Sequence, residues 1–296
     1  MLEVKNISKR FNDIKVLENI SFTIKNGEIV GLIGPNGSGK STLMKCILKL
    51  LKIDEGEITL NRESIEDYDE QYFSLISGLI ETADLYENLN GRDHIDFIKN
   101  YNSGIVSIDD IEGFINFNDN ILKKKVGKYS FGMRQKLYLA MCFIKFKEGL
   151  ILDEPTNGID QESIKKFNNI LSLVKRNGGF ALISSHNFED IEGVCDRFIF
   201  LKEGRIVEVL SKQDVSNEKY LITTKFKDEI IEYLYKKEYV IKVEKIVDGV
   251  IISIYDNELM KLANDITSSK ILIDGISQIK NNIKSNYSEI YKEELL

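Results

Sequence analysis

Gly34-Pro-Asn-Gly-Ser-Gly-Lys-Ser-Thr42 satisfies the pattern G-x-x-x-x-G-K-[ST] in full, and that pattern implies a mechanism. Its glycines let the backbone curl until the N–H groups point inward, and the dipole of the following helix adds its positive end. The result is an anion cradle suited to nucleotide phosphates. Gly34, Pro35, Asn36, Gly37, Ser38, Gly39, Lys40, Ser41 and Thr42 are therefore candidate nucleotide contacts. Lys40 is expected to reach the β- and γ-phosphates, and the Ser41 hydroxyl to ligate Mg²⁺. The flanks agree. Gly27-Glu-Ile-Val-Gly-Leu-Ile33 is a short apolar run suited to a buried parallel strand, and Ser41-Thr-Leu-Met-Lys-Cys-Ile-Leu-Lys-Leu50 has helical periodicity. Strand, loop and helix together make a P-loop.

Outward from this loop, residues 1–26 alternate apolar and polar positions, which predicts an antiparallel β-layer, and residues 57–60 predict a further short strand. The pattern is helical over about 84–146. Strands are expected at 150–153, 181–184 and 198–201, separated by helices over 161–176 and 188–195. Alternation at this spacing implies a mainly parallel α/β core. Glu203-Gly204 marks a hairpin into a strand over 205–210. The polar stretch 211–218 reads as a linker, which divides the chain into a nucleotide-binding domain over 1–210 and an accessory domain over 219–296. The accessory part predicts a strand (220–223), a helix (228–236) and a hairpin (240–254, turning at Asp248-Gly249). A helix (259–266), a strand (271–273) and a charged helical tail follow, a small α+β set. The charged runs at 225–237 and 289–294 read as solvated helix surfaces.

Composition limits the function. The chain has 296 residues, enough for one large and one small domain. With 40 basic against 47 acidic residues the net charge is −7, which argues against a nucleic-acid or anionic-membrane surface. No apolar run approaches the roughly 18 residues needed to span a bilayer, and no signal-peptide core opens the sequence. A soluble, cytoplasmic protein is the expectation. Cys46, Cys142 and Cys195 stand far apart and predict buried, reduced thiols. His94 reads as a packed or surface residue.

Further motifs carry a family resemblance over roughly residues 1–210. Gly149-Leu-Ile-Leu-Asp-Glu-Pro155 is an apolar strand ending in two acids, followed by Thr-Asn-Gly-Ile-Asp160. Tyr129-Ser-Phe-Gly-Met-Arg-Gln135 precedes it, and Ile183-Ser-Ser-His186 ends a later strand. In this order they resemble the Walker B motif, D-loop, signature and H-loop of ABC transporter ATP-binding subunits. The resemblance implies that Asp153 holds Mg²⁺ and that Glu154 is the general base for the attacking water. It implies that His186 contacts the γ-phosphate, that Phe11 stacks on adenine and that Asp160 touches the opposite site of a dimer. Ser130 and Gly132 would bind the γ-phosphate held by a partner's P-loop. A plain Ser N-cap on an amphipathic helix is the competing reading of Ser130.

Two positions depart from the family pattern. The signature carries Phe131 where the family has a glycine, a residue whose backbone freedom phenylalanine lacks. Ile76-Ser-Gly-Leu-Ile-Glu-Thr82 offers Glu81 where the family has the Gln of its Q-loop, and Gln71 lies too early to substitute. A carboxylate there could approach Mg²⁺, at the cost of added charge and a lost amide donor. Glu81 and the Tyr-Ser-x-Gly-Met signature resemble exporters protecting against bacitracin, lantibiotics and similar peptide antibiotics. The resemblance implies ATP and Mg²⁺ as cofactors, a homodimer or paired ATPase subunit, and a separate membrane permease holding the protein at the cytoplasmic face. An ATP-gated interaction module that switches a membrane or surface partner without transport is the alternative.

Overall fold

The computed structural model describes residues 1–81, 85–99, 106–186, 189–212, 218–255 and 257–279. It divides into two compact units, Met1–Val209 and Leu210–Leu296.

In the first unit, β1 (Leu2–Phe11) and β2 (Ile14–Ile24) pair antiparallel, with Leu2 opposite Ile24 and Val4 opposite Phe22. β4 (Glu55–Leu60) adds on the other side of β1, and β5 (Glu63–Ser64) closes a sheet of order β2-β1-β4-β5. Inward-facing Leu2, Val4, Ile20, Ile24, Ile58 and Leu60 are all buried, as the alternation predicts. The second sheet has the order β10-β9-β3-β8-β7-β6. β3 (Ile29–Ile33) is buried along its whole length and runs parallel to both β8 (Phe180–Ser185) and β9 (Arg197–Lys202). β7 (Gly149–Leu152) lies between β8 and β6 (Ile76–Leu79), again parallel. Continuous apolar runs are what a sheet covered on both faces requires. Glu203 and Gly204, at φ 47° and 75°, make the two-residue turn into β10 (Arg205–Ser211).

Helix α1 (Lys40–Ile47) follows the P-loop and buries Leu43, Met44 and Ile47 in the core between the sheets. The short α2 (Tyr72–Leu75), which has no periodic signal, is anchored by the buried Tyr72, whose hydroxyl donates to the Ile47 carbonyl at 2.6 Å. The helical region comprises α3 (Gly91–Lys99), α4 (Ile108–Ile115), α5 (Asp119–Leu122) and α6 (Phe131–Lys145). Ser107 and Asn118 cap α4 and α5 by accepting from Asp110 and Ile121 N–H. Phe143 on α6 contacts Phe114 on α4 and Phe167 on α7 (Gln161–Arg176), at ring separations of 5.6 and 6.0 Å. These rings tie the helical region to α7. The helix expected over 188–195 is confined to α8 (Glu189–Glu192), with 187 and 188 outside the described residues. Cys46, Cys142 and Cys195 are buried and lie outside any disulfide. Burial pushes the Cys142 thiol up to about 12.

The second unit runs β11 (Glu218–Thr223), α9 (Lys227–Leu234), β12 (Val240–Ile246), β13 (Gly249–Ile254), α10 (Leu259–Ser269), β14 (Gly275–Ile279). This is a split β-α-β-β-α-β arrangement with sheet order β12-β13-β11-β14. Tyr220, Ile222, Val250, Ile252 and Ile254 from the sheet meet Ile230, Leu234, Leu262 and Ile266 from the two helices. The strand expected at 271–273 is absent, and β14 begins at Gly275. Ile271 and Ile273 are partly buried against this core, but the Leu272 carbonyl accepts from the Thr224 hydroxyl at 2.7 Å instead of joining a ladder. Of the expected linker 211–218, Ser211 ends β10 and Glu218 opens β11, because both carry ladder pairing; residues 213–217 and the expected charged tail from 280 onward lie outside the described residues.

A Cβ on Gly249 would stand 2.2 Å from the Ile222 carbonyl oxygen. Gly249→Ala is therefore expected to destabilise this unit by roughly 1–3 kcal/mol through overpacking. Hydrogen exchange would show faster amides in β11 and β13, with those of β3 and β8 unchanged.

Candidate active site

The P-loop turns at the end of β3 through Gly37 and Gly39, at φ 84° and 105°. Gly34 is needed for a different reason: a Cβ there would lie 2.5 Å from the Leu201 carbonyl oxygen. Lys40 is buried, and its ammonium donates to the carbonyls of Gly34 at 2.7 Å and Pro35 at 3.0 Å, which binds the loop to its own helix. Burial lowers the Lys40 pKa, while the Glu154 and Asp153 carboxylates oppose the shift. No side chain caps α1 and its first turn holds no acidic residue, so its own side chains do not offset the positive end of the helix dipole. Ser38 Oγ is buried without a hydrogen-bond partner. That oxygen packs against Gly34, 2.6 Å from where a Cβ there would stand, and the fit to a phosphate-bearing ligand rests on the buried Lys40 ammonium and the left-handed Gly37 and Gly39.

Asn36, Gly37, Gly39, Lys40, Ser41, Thr42, Asp153 and Glu154 line one cavity of about 220 Å³ together with Val16. That is smaller than the about 300–1,000 Å³ of pockets that enclose a whole ligand, as suits a polyphosphate chain with its base outside. Val16, in β2, was not recognisable from sequence because nothing local marks a strand residue that reaches another element's loop.

Asp153 and Glu154 follow the last residue of β7, where the Asp153 N–H donates to the Leu79 carbonyl at 2.8 Å. Ser41 Oγ donates to Asp153 Oδ2 at 2.5 Å. Two hard oxygens converge there, a donor set that fits Mg²⁺ completed by phosphate oxygens and water. Glu154 adopts φ 48°, left-handed backbone that a glutamate enters only when held. Two residues of the neighbouring strand end hold it. Its N–H donates to Ser184 Oγ at 2.8 Å, and its Oε2 lies 2.6 Å from His186 Nδ1 and 3.2 Å from the His186 N–H.

The remaining predicted residues lie outside the cavity lining. Phe11 is half-exposed at the β1–β2 turn with Lys9 Nζ 5.6 Å from its ring centre. Glu81, at φ 62°, pairs with Lys45 Nζ at 2.5 Å and does not join the Ser41–Asp153 pair. Ser130 caps α6, accepting from Met133 N–H at 3.3 Å. Gly132 is required by close approach, since a Cβ would stand 2.2 Å from the Gly158 carbonyl oxygen. Phe131 is the first helical residue and has no positive φ, so the backbone freedom of a glycine is not used at this position. Asp160 caps α7, accepting from Ser163 N–H at 2.9 Å. That bond and the Ser163 hydroxyl hold its carboxyl below the usual range. His94 is buried, its Nε2 accepting from the Tyr86 N–H at 3.1 Å and its Nδ1 2.8 Å from the Asn90 carbonyl. It serves packing.

Similar proteins converge on one family. The ABC transporter family matches residues 17–157. The ABC transporter ATP-binding protein YcbN of Bacillus subtilis is 31% identical over 93% of this chain and 90% of its own. The lantibiotic transport ATP-binding protein SrtF of Streptococcus pyogenes is 34% identical over 70% of this chain and 89% of its own. The bacitracin transport ATP-binding protein BcrA of Enterococcus faecalis is 28% identical over 98% and 96%. A solved ATP-binding subunit of an ABC transporter superposes with a TM-score of 0.65 at 30% identity, covering 72% of this chain and 91% of that one. The chain belongs to the ABC transporter ATP-binding proteins.

Lys40→Ala removes the one buried cation of the cavity. ATP affinity, measured by fluorescence titration with a labelled nucleotide, is expected to fall roughly 10- to 100-fold, as loss of charge-assisted hydrogen bonds predicts. Unchanged affinity would discredit the P-loop as the nucleotide site.

Proposed function

We propose that this protein is the ATP-hydrolysing subunit of a transporter whose membrane-crossing part is a separate permease, and that the cargo is a peptide antibiotic or a similar amphipathic molecule. The observation that carries the hydrolytic role is Glu154, held by its backbone and its carboxylate at the mouth of the cavity that Lys40 and Ser41 line. Glu154 Oε2 is engaged by His186, which leaves Oε1 to accept the proton of an attacking water. Lys40 and the loop amides bind the β- and γ-phosphates, and His186 both fixes Glu154 and borders the γ-phosphate. Ser41 and Asp153 would hold Mg²⁺, which when bound neutralises phosphate charge.

Two copies are proposed to act together. Ser130 and Gly132 do not line the cavity of their own chain, and Ser130 presents its hydroxyl at a helix N-terminus. Set against a second copy's cavity they would supply the γ-phosphate contacts missing from one chain alone, with Asp160 nearby and the Phe11 ring on the adenine. ATP binding would close such a pair and hydrolysis reopen it, because the γ-phosphate contributes charge-assisted contacts to both. Among the described residues no helix is long and apolar enough to cross a membrane, so attachment to the cytoplasmic face would come through the permease. The kinship with SrtF and BcrA, named for lantibiotic and bacitracin transport, supports the cargo class.

Affinity purification of the tagged protein from detergent-solubilised native membranes tests the reading. A stoichiometric multi-span protein supports it, and a soluble partner alone refutes it. Glu154→Gln is expected to lower kcat by roughly 10²- to 10⁴-fold while leaving an ATP-held dimer visible by light scattering. Hydrolysis at the wild-type rate would remove Glu154 from the role of base.

A further inference from the structure

We infer that Ser184 is a positioning residue for hydrolysis: its hydroxyl holds the backbone of Glu154 in its working geometry, while Asp153 keeps its own bond to Ser41. The inference rests on the hydrolytic role proposed for this site.

Ser184 is fully buried near the end of β8. Its Oγ donates to Asp153 Oδ1 and accepts the Glu154 N–H at 2.8 Å. The direction of each bond is fixed. An ionised carboxylate can only accept and a backbone N–H can only donate, so the single hydroxyl proton must point at Asp153 and a lone pair at Glu154. Asp153 Oδ2 meanwhile accepts from Ser41. A continuous chain therefore runs from the P-loop hydroxyl through Asp153 and Ser184 to the backbone of Glu154. It ends at the one acidic residue of the cavity with left-handed backbone.

Placement follows from register. β7 and β8 align Leu152 with Ile183, so the next residue of each strand, Asp153 and Ser184, fall side by side. On its other side β8 aligns Ser184 with Leu32 of the P-loop strand. His186, two residues on, takes the Glu154 carboxylate. One strand end thus grips Glu154 at both its backbone and its side chain. Removing the Ser184 hydroxyl would leave a buried carboxylate oxygen and a buried N–H without this partner, and would free Glu154 from its strained conformation.

Ser184→Ala is expected to lower kcat roughly tenfold to a hundredfold with KM for ATP and labelled-nucleotide affinity unchanged, and to accelerate exchange of the Glu154 amide. Ser184→Thr, which keeps the hydroxyl, should restore both the rate and the slow exchange. If Ser184→Ala does not fold, Ser184→Cys, a weak donor, carries the same expectation of lost kcat at constant KM. Wild-type kcat in whichever of these two variants folds, or a fall in kcat accompanied by an equal loss of nucleotide affinity, overturns the inference. Failure of the wild-type protein to hydrolyse ATP overturns the proposed function and this inference with it.

Discussion

Every chemical group of the site depends on one constraint, the in-register parallel ladder of β3, β8 and β7. Ile33 pairs with Ser185 and Leu152 with Ile183, so the three strands end almost level. Their ends release the P-loop, the Asp153-Glu154 pair and the Ser184–His186 segment into one crevice. Successive strand residues face opposite sides, so a slip of one residue would replace Ser184 by Ser185 or Ile183 beside Asp153. Both faces of these strands are buried, so shape resists that slip: it would set larger side chains where Gly149 now meets the Phe180 ring and Gly31 the Phe198 ring, each too close for a Cβ. Core packing thereby fixes the geometry of the crevice, without a separate device at the site.

The ladder also explains how a buried lysine is tolerated. Lys40 makes short bonds to the Gly34 and Pro35 carbonyls, and two carboxylates at the end of β7 offset the burial that lowers its pKa. Neither carboxylate takes the ammonium as a direct ion-pair partner, since Asp153 is bonded to Ser41 and Ser184 and Glu154 to His186. The cation is stabilised yet remains available to a stronger anion. A phosphate chain is such an anion.

The parts of this site that could be read from sequence are those whose chemistry is local. The P-loop, the apolar strand ending in two acids and the Ser-Ser-His strand end are contiguous, and each residue's role follows from its neighbours in the chain. Helix α7 spans the 161–176 expected from its periodicity, and Ser130 caps α6, as the competing reading of that serine has it. What escaped the sequence is set across space. Ser184 gains its role from register with a strand 30 positions earlier, and Val16 from the path of β2 over the P-loop. Residues 271–273 look like a strand because three apolar positions carry no period that separates strand from packed coil. A hydroxyl from Thr224 decides the matter.

The two departures from the family pattern belong to the same class, because each is answered by a partner that sequence order hides. Glu81 adds a charge where the pattern has an amide, and Lys45 on α1 meets it at 2.5 Å. At an exposed position such a pair is worth about 0–1 kcal/mol, so its consequence is directional: the carboxylate is held toward α1. Phe131 adds a ring where the pattern has no side chain, and that ring lies where a Cβ on Gly158 would stand only 2.3 Å away. Gly132 in turn approaches the Gly158 carbonyl so closely that it too can carry no Cβ. The signature and the loop after Glu154 therefore form one interlocked surface, in which the bulk of Phe131 is admitted by the bareness of Gly158. Judged singly, Phe131 looks like a defect. Judged with Gly158, it leaves Ser130 free to cap α6 and couples that helix N-terminus to the loop that follows Glu154.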